Sequence, residues 1–253
     1  MQQLDYLKDK ISFVSLVDKM EVDAPLKTVN SARISYANTK STFDDKDKKL
    51  ASFLWENEHT SPFRHSYFTF HIKAPLFLFN QLKKYQVGSG FRTYEVNQET
   101  VSLGVFDHFY DTDKGCSWNE ISGRYVQTSK DFYIPEKARA NPPHGNKQAS
   151  KEIGPESKTH EIMRSEMFLA IKSAMDTYDF LINLGVAKEV ARLILPQNVY
   201  SECYWTVSLQ ACIHFLKQRL KPDSQLEIRL LAEGIYQLMD STLTKLGITK
   251  ELL

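Results

Sequence analysis

The fold is decided by the stretch SYFTFHIKAP at residues 66–75. Large apolar side chains at Phe68, Phe70 and Ile72 alternate with more polar ones, which is the period-two pattern of a half-buried strand. Pro75 then suits the first turn of a helix, because its fixed φ matches helical backbone and its missing N–H is not needed there. The stretch therefore predicts a strand that passes directly into a helix ending near Tyr85.

Outward from this stretch, the pattern predicts further short strands and amphipathic helices. Apolar alternation predicts an opening strand at residues 11–17, and residues 200–207 have the pattern of a strand or an irregular link. Helical periodicity predicts helices at residues 24–34, 44–57, 156–184, 188–195, 209–220 and 225–246. Because no internal repeat or linker divides the chain, we expect one mixed α/β domain over residues 1–253.

The composition is that of an ordinary globular protein, with 253 residues, 42% hydrophobic and 25% charged. The net charge of +1 gives no broad basic field, so we expect no nucleic-acid partner. Residues 1–10 lack the apolar core of a signal peptide, and no apolar run is long enough to cross a bilayer. Cys116, Cys203 and Cys212 form no CxxC pair, which favours reduced thiols. We therefore expect a cytoplasmic protein with no membrane partner.

A second informative stretch is NEISGR at residues 119–124. Its arginine offers a fork of donors that fits a phosphate, its serine adds a hydroxyl, and its glycine lets a ligand approach the backbone. Glu120 can accept a hydrogen bond from a sugar hydroxyl or an N–H. Two interpretations stay open: a nucleotide-binding motif, or a polar turn leading into a strand at residues 121–126 with Arg124 in a surface ion pair.

Single histidines and arginines elsewhere also allow two interpretations each. His59 is either a solvated loop residue or a donor beside a cofactor, while His65 and His71 are expected to be structural. No Cys or carboxylate completes a ligand set with them, so we expect no metal. Arg192 lies in an otherwise apolar helix, where it is either paired at the edge of the core or a phosphate clamp. Arg219 ends a helix, where the helix dipole favours a cation in any case.

Three stretches taken together resemble the flavin-dependent thymidylate synthases, also called thymidylate synthase complementing proteins. They are NEISGRY at 119–125 with FYIP at 132–135, HTSPFRH at 59–65 with FTFHIKAP at 68–75, and ARLILP at 191–196 with WTV at 205–207. The matches run in order over roughly residues 29–228. The resemblance implies a single domain with a mainly antiparallel sheet packed by helices.

The resemblance also implies an enzyme, a methyltransferase that converts deoxyuridine monophosphate (dUMP) to thymidylate (dTMP). Methylenetetrahydrofolate would donate the one-carbon unit, reduced FAD the hydride, and NADPH would reduce the flavin. The active sites would be shared between the subunits of a homotetramer. On matching positions, dUMP would be held by Gln81, Lys84, Glu120, Ser122, Gly123, Arg124, Arg192 and Arg219. Arg219 would be catalytic, as a cation that favours the ionised uracil. FAD would lie against Ser35, His59, Ser61, Lys84, Tyr85, Gln86, Glu120, Ser208, Gln210 and His214.

The chain departs from the family pattern mainly on the flavin side. Lys84-Tyr85-Gln86 replaces an Arg-His-Arg triplet, so the lysine keeps a charge but loses the bidentate fork. Ser208, Gln210 and His214 stand where Asn, Arg and Asn are expected. Two alternatives on the same fold therefore stay open. One is a pyrimidine-nucleotide hydroxymethylase that releases the one-carbon unit with water, and the other is a catalytically silent nucleotide-binding homologue.

Residues 89–115 are an insertion relative to the family pattern, because the triplet and the serine motif are normally separated by only a few residues. Both ends of the insertion adjoin predicted nucleotide-site residues. Its aromatic content favours docking over free disorder. We expect it to pack over the flavin side of the site or at a subunit contact.

Overall fold

The computed structural model of the protein describes residues 3–20, 23–85, 117–141 and 150–253, together with the backbone of residues 92–96 and 99–103. The strands are β1 (Gln3–Leu4), β2 (Phe13–Lys19), β3 (Tyr67–Pro75), β4 (Arg92–Val96), β5 (Glu99–Leu103), β6 (Ser117–Glu120), β7 (Arg139–Ala140), β8 (Lys151–Glu152) and β9 (Tyr200–Ser208). The helices are α1 (Ala24–Arg33), α2 (Asp45–Glu56), α3 (Leu76–Leu82), α4 (Thr159–Asn183), α5 (Lys188–Ala191), α6 (Leu209–Arg219) and α7 (Leu226–Leu246). Short 3-10 turns lie at Ile34–Tyr36, Ser61–His65, Arg192–Ile194 and Lys250–Leu252.

The main sheet has the strand order β1-β2-β3-β9-β6, and each neighbouring pair in it is antiparallel. Strands β4 and β5 form a separate hairpin, and so do β7 and β8. The predicted mixed α/β class with a mainly antiparallel sheet is confirmed. The backbone of the hairpin β4–β5 is the only part of the predicted insertion that the structure describes, so the expected docking of the insertion lies outside the described residues.

Strands β3 and β9 form the centre of the sheet and pair antiparallel along their whole lengths. Phe68, Phe70 and Ile72 on β3 are at most 1% exposed, so the predicted apolar face is confirmed. The segment predicted as a strand or an irregular link, residues 200–207, is a strand. Its uninterrupted backbone pairing with β3 holds it extended.

Two helices leave opposite ends of this central pair. Helix α3 starts directly after β3, and helix α6 starts directly after β9. The Ser208 hydroxyl accepts from the N–H of Ala211 and so caps α6. The two helices meet where the ring of Tyr85, just beyond α3, packs edge-on against Phe215 at a centroid distance of 5.1 Å. The sheet therefore fixes where the segment after α3 and the end of α6 come together.

Helix α7 closes the core over this arrangement. Its Ile228, Leu231 and Ile235 are fully buried among the aromatic side chains of the sheet and of α3 and α6. A Cβ added at Gly234 would lie 2.9 Å from Cγ1 of Val14, so a side chain at this position would push α7 away from β2. Burial of this apolar surface is the main stabilising contribution to the fold, at roughly 25 cal/mol for each Å² removed from water.

The apolar side chains of the longest helix, α4, are only partly buried. Ile171, Met175 and Tyr178 of α4 are buried, whereas Ile162 and Leu169 are about 60% exposed. Helical spacing indicates which residues share a face, but not which part of the chain covers that face. Within the described ranges, none of the helices has the length and apolar content needed to cross a membrane.

The alternative interpretation of residues 121–126 as a strand is wrong. The strand is β6, which ends at Glu120, and the following residues form a turn in which the Val126 N–H donates to the Ser122 carbonyl at 3.2 Å. The Ile121 N–H still donates to the carbonyl of Glu202 on β9 at 3.0 Å. The apolar residues Ile121 and Val126 are exposed, so no burial drives this segment to extend the sheet.

A buried carboxylate ties α1 to α2. Asp47 is fully buried, accepts from Lys40 Nζ at 2.8 Å and from the Asp44 N–H at 2.9 Å, and pairs with Arg33. Asp44 Oδ1 accepts from the Asp47 N–H in return, which completes a capping box. Burial would raise the pKa of Asp47, but the bonds from Lys40, Asp44 and Arg33 hold this pKa below its usual value. Because Arg33 ends α1 close to Ser35, the ion pair also fixes the position of a predicted flavin residue.

We expect Asp47→Asn to lower the free energy of unfolding at neutral pH by about 2–3 kcal/mol, since Arg33 and Lys40 lose a buried counter-charge. The stability from Asp47 is complete above the unfolded-state pKa of about 3.9 and is lost as the pH falls through the lower folded-state pKa. Urea unfolding at neutral pH and in acid measures this, with Asp45→Asn as the matched control on the exposed face of α2. A gap between wild type and Asp47→Asn that stays constant into strong acid would contradict the role of the ionised carboxylate.

Candidate active site

The predicted nucleotide motif forms a surface turn directly after β6. Within it the Arg124 N–H donates to Ser122 Oγ at 3.3 Å. A Cβ added at Gly123 would lie 3.1 Å from Cδ of Arg192, so the Arg192 side chain lies across the bare backbone of the glycine. Arg124 Nε pairs with Glu189 at 3.2 Å, where both side chains are more than half exposed. The turn thus brings two guanidinium groups to one solvent-facing surface, an arrangement suited to binding an anion.

Glu120 is held at the end of β6 by two donors. Its Oε2 accepts from Lys83 Nζ at 2.9 Å and from Trp118 Nε1 at 3.1 Å. Sequence reasoning named Lys84 as a site residue and missed Lys83, whereas Lys84 is exposed in the structure. The local sequence does not distinguish the two adjacent lysines. What distinguishes Lys83 is its contact with Glu120, which is 37 residues away in the chain.

Arg219 lies against Tyr85 at the end of α6. Its guanidinium carbon is 5.6 Å from the centroid of the buried Tyr85 ring, and its buried Nε makes no hydrogen bond to another described residue. Burial raises the pKa of Tyr85, and the charge and hydrogen bond of Arg219 oppose that rise. The ring of His214 lies 5.7 Å from the Tyr85 ring, and partial burial together with Lys217 lowers the pKa of His214. Tyr85 is thus part of the core and orients Arg219.

Gln81 is anchored by a chain of hydrogen bonds that ends in a buried ion pair. Its Nε2 donates to Gln225 Oε1 at 2.9 Å, and Gln225 Nε2 donates to Glu227 Oε2 at 3.1 Å. Glu227 is fully buried and accepts from Arg139 and from the Tyr133 hydroxyl. Burial would raise the pKa of Glu227, but the bonds from Arg139 and Tyr133 hold it below its usual value. These contacts fix the direction of the Gln81 amide.

The predicted flavin residues His59 and Ser61 lie on an exposed edge next to α6. The ring of His59 packs edge-on against Phe53 at a centroid distance of 6.3 Å. Gln210 connects this edge to α6, because its Oε1 accepts from Arg64 Nε at 2.6 Å and its Nε2 donates to Thr60 Oγ1 at 2.9 Å. Arg64 was missed, although its place in the HTSPFRH stretch and the absence of an arginine at position 210 together were a usable signal.

The remaining predicted flavin positions lie in different surroundings. Ser35 is exposed in the 3-10 turn after α1. Ser208 is fully buried, and its hydroxyl caps α6. Gln86 lies outside the described residues.

The predicted nucleotide residues form two groups within one chain. The first consists of Gln81 on α3 and Arg219, whose guanidinium lies against the predicted flavin residue Tyr85 just beyond α3. The second consists of Ser122, Gly123, Arg124 and Arg192. The contact between Lys83 and Glu120 links the two groups, because Lys83 lies on the segment that carries Gln81 and Glu120 lies two residues before Ser122.

Two cavities of about 350 and 420 Å³ flank Tyr133 and Arg139, and their linings contain none of the predicted arginines Arg124, Arg192 and Arg219. No residue of the two groups lines either cavity, but Gln225, which accepts from Gln81, lines the larger one. Among the described residues, no three His, Cys, Asp or Glu side chains converge in an arrangement that could hold a metal ion.

The fold is a mixed α/β domain, and the turn after β6 carries two arginines that suit an anion. The family model described as "Thymidylate synthase complementing protein" matches residues 15–243, so the chain belongs to this family. The flavin-dependent thymidylate synthase of Kosmotoga olearia is 32% identical over 229 residues, which cover 90% of this chain and 85% of that protein. A flavin-dependent thymidylate synthase of Thermus thermophilus is 34% identical over 227 residues, which cover 90% of this chain and 71% of that protein.

A solved structure also resembles this chain closely. The UMP/dUMP methylase PolB from Streptomyces cacaoi, bound with 5-Br dUMP, superposes with a TM-score of 0.70 at 27% identity. The match covers 95% of this chain and 94% of that chain. The family expected from the sequence motifs is confirmed.

We expect the thiols of Cys203 and Cys212 to be unreactive in the native protein. Both are buried, and burial raises their pKa, that of Cys212 to about 12. In a Cys116→Ser variant, which removes the cysteine outside the described residues, Ellman's reagent should therefore detect neither thiol before unfolding and both afterwards. The denatured sample is the control for counting, and rapid reaction of a native thiol would contradict the burial and allow a cysteine nucleophile.

Proposed function

We propose that the protein is a flavin-dependent thymidylate synthase that converts dUMP to dTMP with methylenetetrahydrofolate as the one-carbon donor. Membership of the family supports this proposal. The observation that carries it is Arg219, whose buried Nε makes no hydrogen bond to another described residue while Tyr85 holds the guanidinium in place. An unpaired buried donor costs free energy, so a ligand that supplies an acceptor is favoured there. The uracil ring supplies such an acceptor, most strongly in its ionised form.

The nucleotide would be bound by the two groups of residues together. Arg124 and Arg192 offer guanidinium forks to the phosphate, and the uncovered backbone at Gly123 allows close approach. Glu120, Gln81 and Lys84 would complete the site with an acceptor, an oriented amide and a charge. The methylase PolB was solved with 5-Br dUMP and with 5-Br UMP, which supports a pyrimidine nucleotide as the substrate class here.

The described residues fit a flavin on the edge formed by His59 and Ser61, where exposed polar side chains adjoin the Arg64–Gln210 pair. Ser35, exposed in the turn after α1, would contact the cofactor from its own position. Arg64 would supply a cation to a phosphate-bearing cofactor at the place where Gln210 supplies none. When bound, reduced FAD supplies the hydride, and NADPH would restore its reduced form. His214 and Tyr85 would border the flavin edge, with Tyr85 acting mainly through Arg219.

The active form would be a homotetramer with shared active sites, working in the cytoplasm. Arg192 lies among the exposed apolar residues Val190, Leu193 and Ile194. Apolar surface of this kind beside a charged site favours coverage by another subunit. A second copy at this place would also enclose the open group of Gly123, Arg124 and Arg192.

Methylation of UMP is the second candidate, and it is favoured by the solved complex of PolB with 5-Br UMP. Formation of a hydroxymethyl product, or nucleotide binding without turnover, would use the same nucleotide site. A turnover assay read by mass spectrometry separates these alternatives. The product mass distinguishes a methyl from a hydroxymethyl group, and competition between the substrates distinguishes dUMP from UMP.

We expect the purified protein to show the visible absorbance of bound flavin and to form dTMP from dUMP, methylenetetrahydrofolate and NADPH, as measured by mass spectrometry. Arg219→Met should lower kcat by a factor of about 10² to 10³, because it removes a fixed cation from the developing negative charge. Flavin absorbance and the melting temperature should change little.

Arg229→Met is the matched control, since the Arg229 side chain hydrogen-bonds only to the Pro222 carbonyl among the described residues. Turnover of Arg219→Met near the wild-type rate would remove the catalytic role of this residue. Absence of bound flavin and of any product from the wild-type protein would contradict the proposed function as a whole.

We expect Gly123→Ala to weaken dUMP binding about tenfold, because the new methyl group displaces the Arg192 side chain from the motif. The melting temperature should stay within about 2 °C of wild type, since an exposed arginine side chain can move without disturbing the core. Gly154→Ala is the control, because a Cβ there meets no atom within 4 Å. Titration calorimetry measures the effect, and equal affinities of the two variants would contradict the placement of Arg192 in the site.

A further inference from the structure

The contact between Lys83 and Glu120 lies where the two groups of the site meet. Lys83 Nζ donates to Glu120 Oε2 at 2.9 Å and lies 4.8 Å from the centroid of the Trp118 ring. Trp118 Nε1 donates to the same oxygen at 3.1 Å. Two donors therefore hold one oxygen of the carboxylate, and among the described residues no side chain donates to the other oxygen.

We propose that Lys83 is a positioning residue of the nucleotide site, which fixes the Glu120 carboxylate so that Oε1 accepts from the bound pyrimidine nucleotide. The inference rests on the proposed function, because it gives Glu120 a ligand. The terminal torsion of a glutamate is broad, so a free carboxylate samples many orientations. Two donors on one oxygen remove that freedom before the ligand arrives, which lowers the entropy cost of binding.

Both partners of the contact stand on rigid backbone. Lys83 directly follows α3 as its C-cap residue, and its N–H donates to the Phe79 carbonyl at 3.0 Å. Glu120 pairs with Cys203 on β9 in the sheet. The rings of Phe79 and Trp118 pack edge to face at 5.1 Å, which holds α3 against β6. The contact is therefore a fixed feature of the fold, unlike an ion pair between two flexible surface side chains.

The contact also places a cation close to the altered triplet. In the family pattern, the charge that remains of the Arg-His-Arg triplet belongs to Lys84, which is exposed. Lys83 has a side chain that is 41% exposed and reaches a carboxylate that is 24% exposed. In this partly shielded position a charge-assisted hydrogen bond is stronger than in open water. The geometry assigns the positioning task to Lys83.

Calorimetric titration with dUMP tests the proposal in Lys83→Met, which keeps the apolar stem and removes the charge. We expect its affinity to fall about tenfold, equivalent to about 1.4 kcal/mol. Lys83→Arg should recover affinity to within about threefold of wild type, since it restores a cation with hydrogen-bond donors. KM for dUMP should rise in Lys83→Met while kcat changes by less than about twofold, because Lys83 acts through binding.

A double-mutant cycle separates positioning from a general structural effect. In a Glu120→Gln background, Lys83→Met should have little further effect on affinity, because Lys83 acts through Glu120. The control is Lys130→Met, which removes a surface ion pair with Asp179 of the same 2.9 Å length and should leave affinity unchanged.

A second measurement needs no ligand. In protein labelled with 5-fluorotryptophan, the resonance of Trp118, assigned from Trp118→Phe, reports the surroundings of the ring. We expect it to shift in Lys83→Met and in Glu120→Gln and to move less in Lys83→Arg, while the resonance of Trp55 stays in place.

A Trp118 resonance that does not respond to Lys83→Met overturns the proposal, whatever the protein binds. The proposal is also overturned if the resonance shifts but Lys83→Met binds dUMP with an affinity within about twofold of wild type. It is overturned as well if the effects of Lys83→Met and Glu120→Gln on affinity simply add in the double-mutant cycle. If Lys83→Met and Glu120→Gln both shift the resonance but the wild-type protein binds neither flavin nor dUMP, the proposed function fails, and the part of the inference that assigns a nucleotide to Glu120 falls with it.

Discussion

The antiparallel pairing of β3 with β9 is the constraint on which the rest of the structure depends. β3 passes into α3, β9 passes into α6, and β6 adds to the free side of β9. The segment carrying Gln81 and Tyr85, the end of α6 with Arg219, and Glu120 are therefore all placed by one ladder. A slip of one residue would exchange the two faces of β3 and expose Phe68, and it would shift these site segments relative to one another.

Buried carboxylates hold the segments that frame the site. Glu227 anchors the hydrogen-bond chain to Gln81, and Asp47 fixes the end of α1 beside Ser35. An isolated buried charge costs several kcal/mol, so each carboxylate needs a cation and further donors to be tolerated. Both have them, and this is why their pKa values stay low despite burial. The same bonds that satisfy these charges also restrict the backbone near the site.

The parts of the structure that local pattern controls could be predicted from the sequence. The alternation in residues 66–73 predicted the central strand, and helical periodicity at residues 209–220 and 225–246 predicted α6 and α7. The pairings that matter most in the site could not be predicted. Arg64 with Gln210 joins residues 146 apart, and the contact of Lys83 with Glu120 depends on how α3 meets β6. Likewise, the exposed half of α4 could not be predicted. Its apolar residues have the spacing of a buried face, but helical periodicity does not show which part of the chain covers that face.

Electrostatics favours a site in which a second copy of the chain covers Arg124 and Arg192. Arg124 is 58% exposed and already pairs with Glu189, so a phosphate from solvent must compete with that carboxylate and with water. Ion pairs in such surroundings contribute roughly 0–1 kcal/mol, too little for firm nucleotide binding. The Coulomb energy of the same pair rises several-fold when water is excluded and the effective dielectric constant falls. Coverage by the apolar surface of another copy would achieve this at Arg124 and Arg192 together, whereas Arg219 is partly shielded by Tyr85 within its own chain. In the proposed homotetramer, nucleotide affinity at Arg124 and Arg192 would therefore depend on assembly more than the placement of Arg219 would.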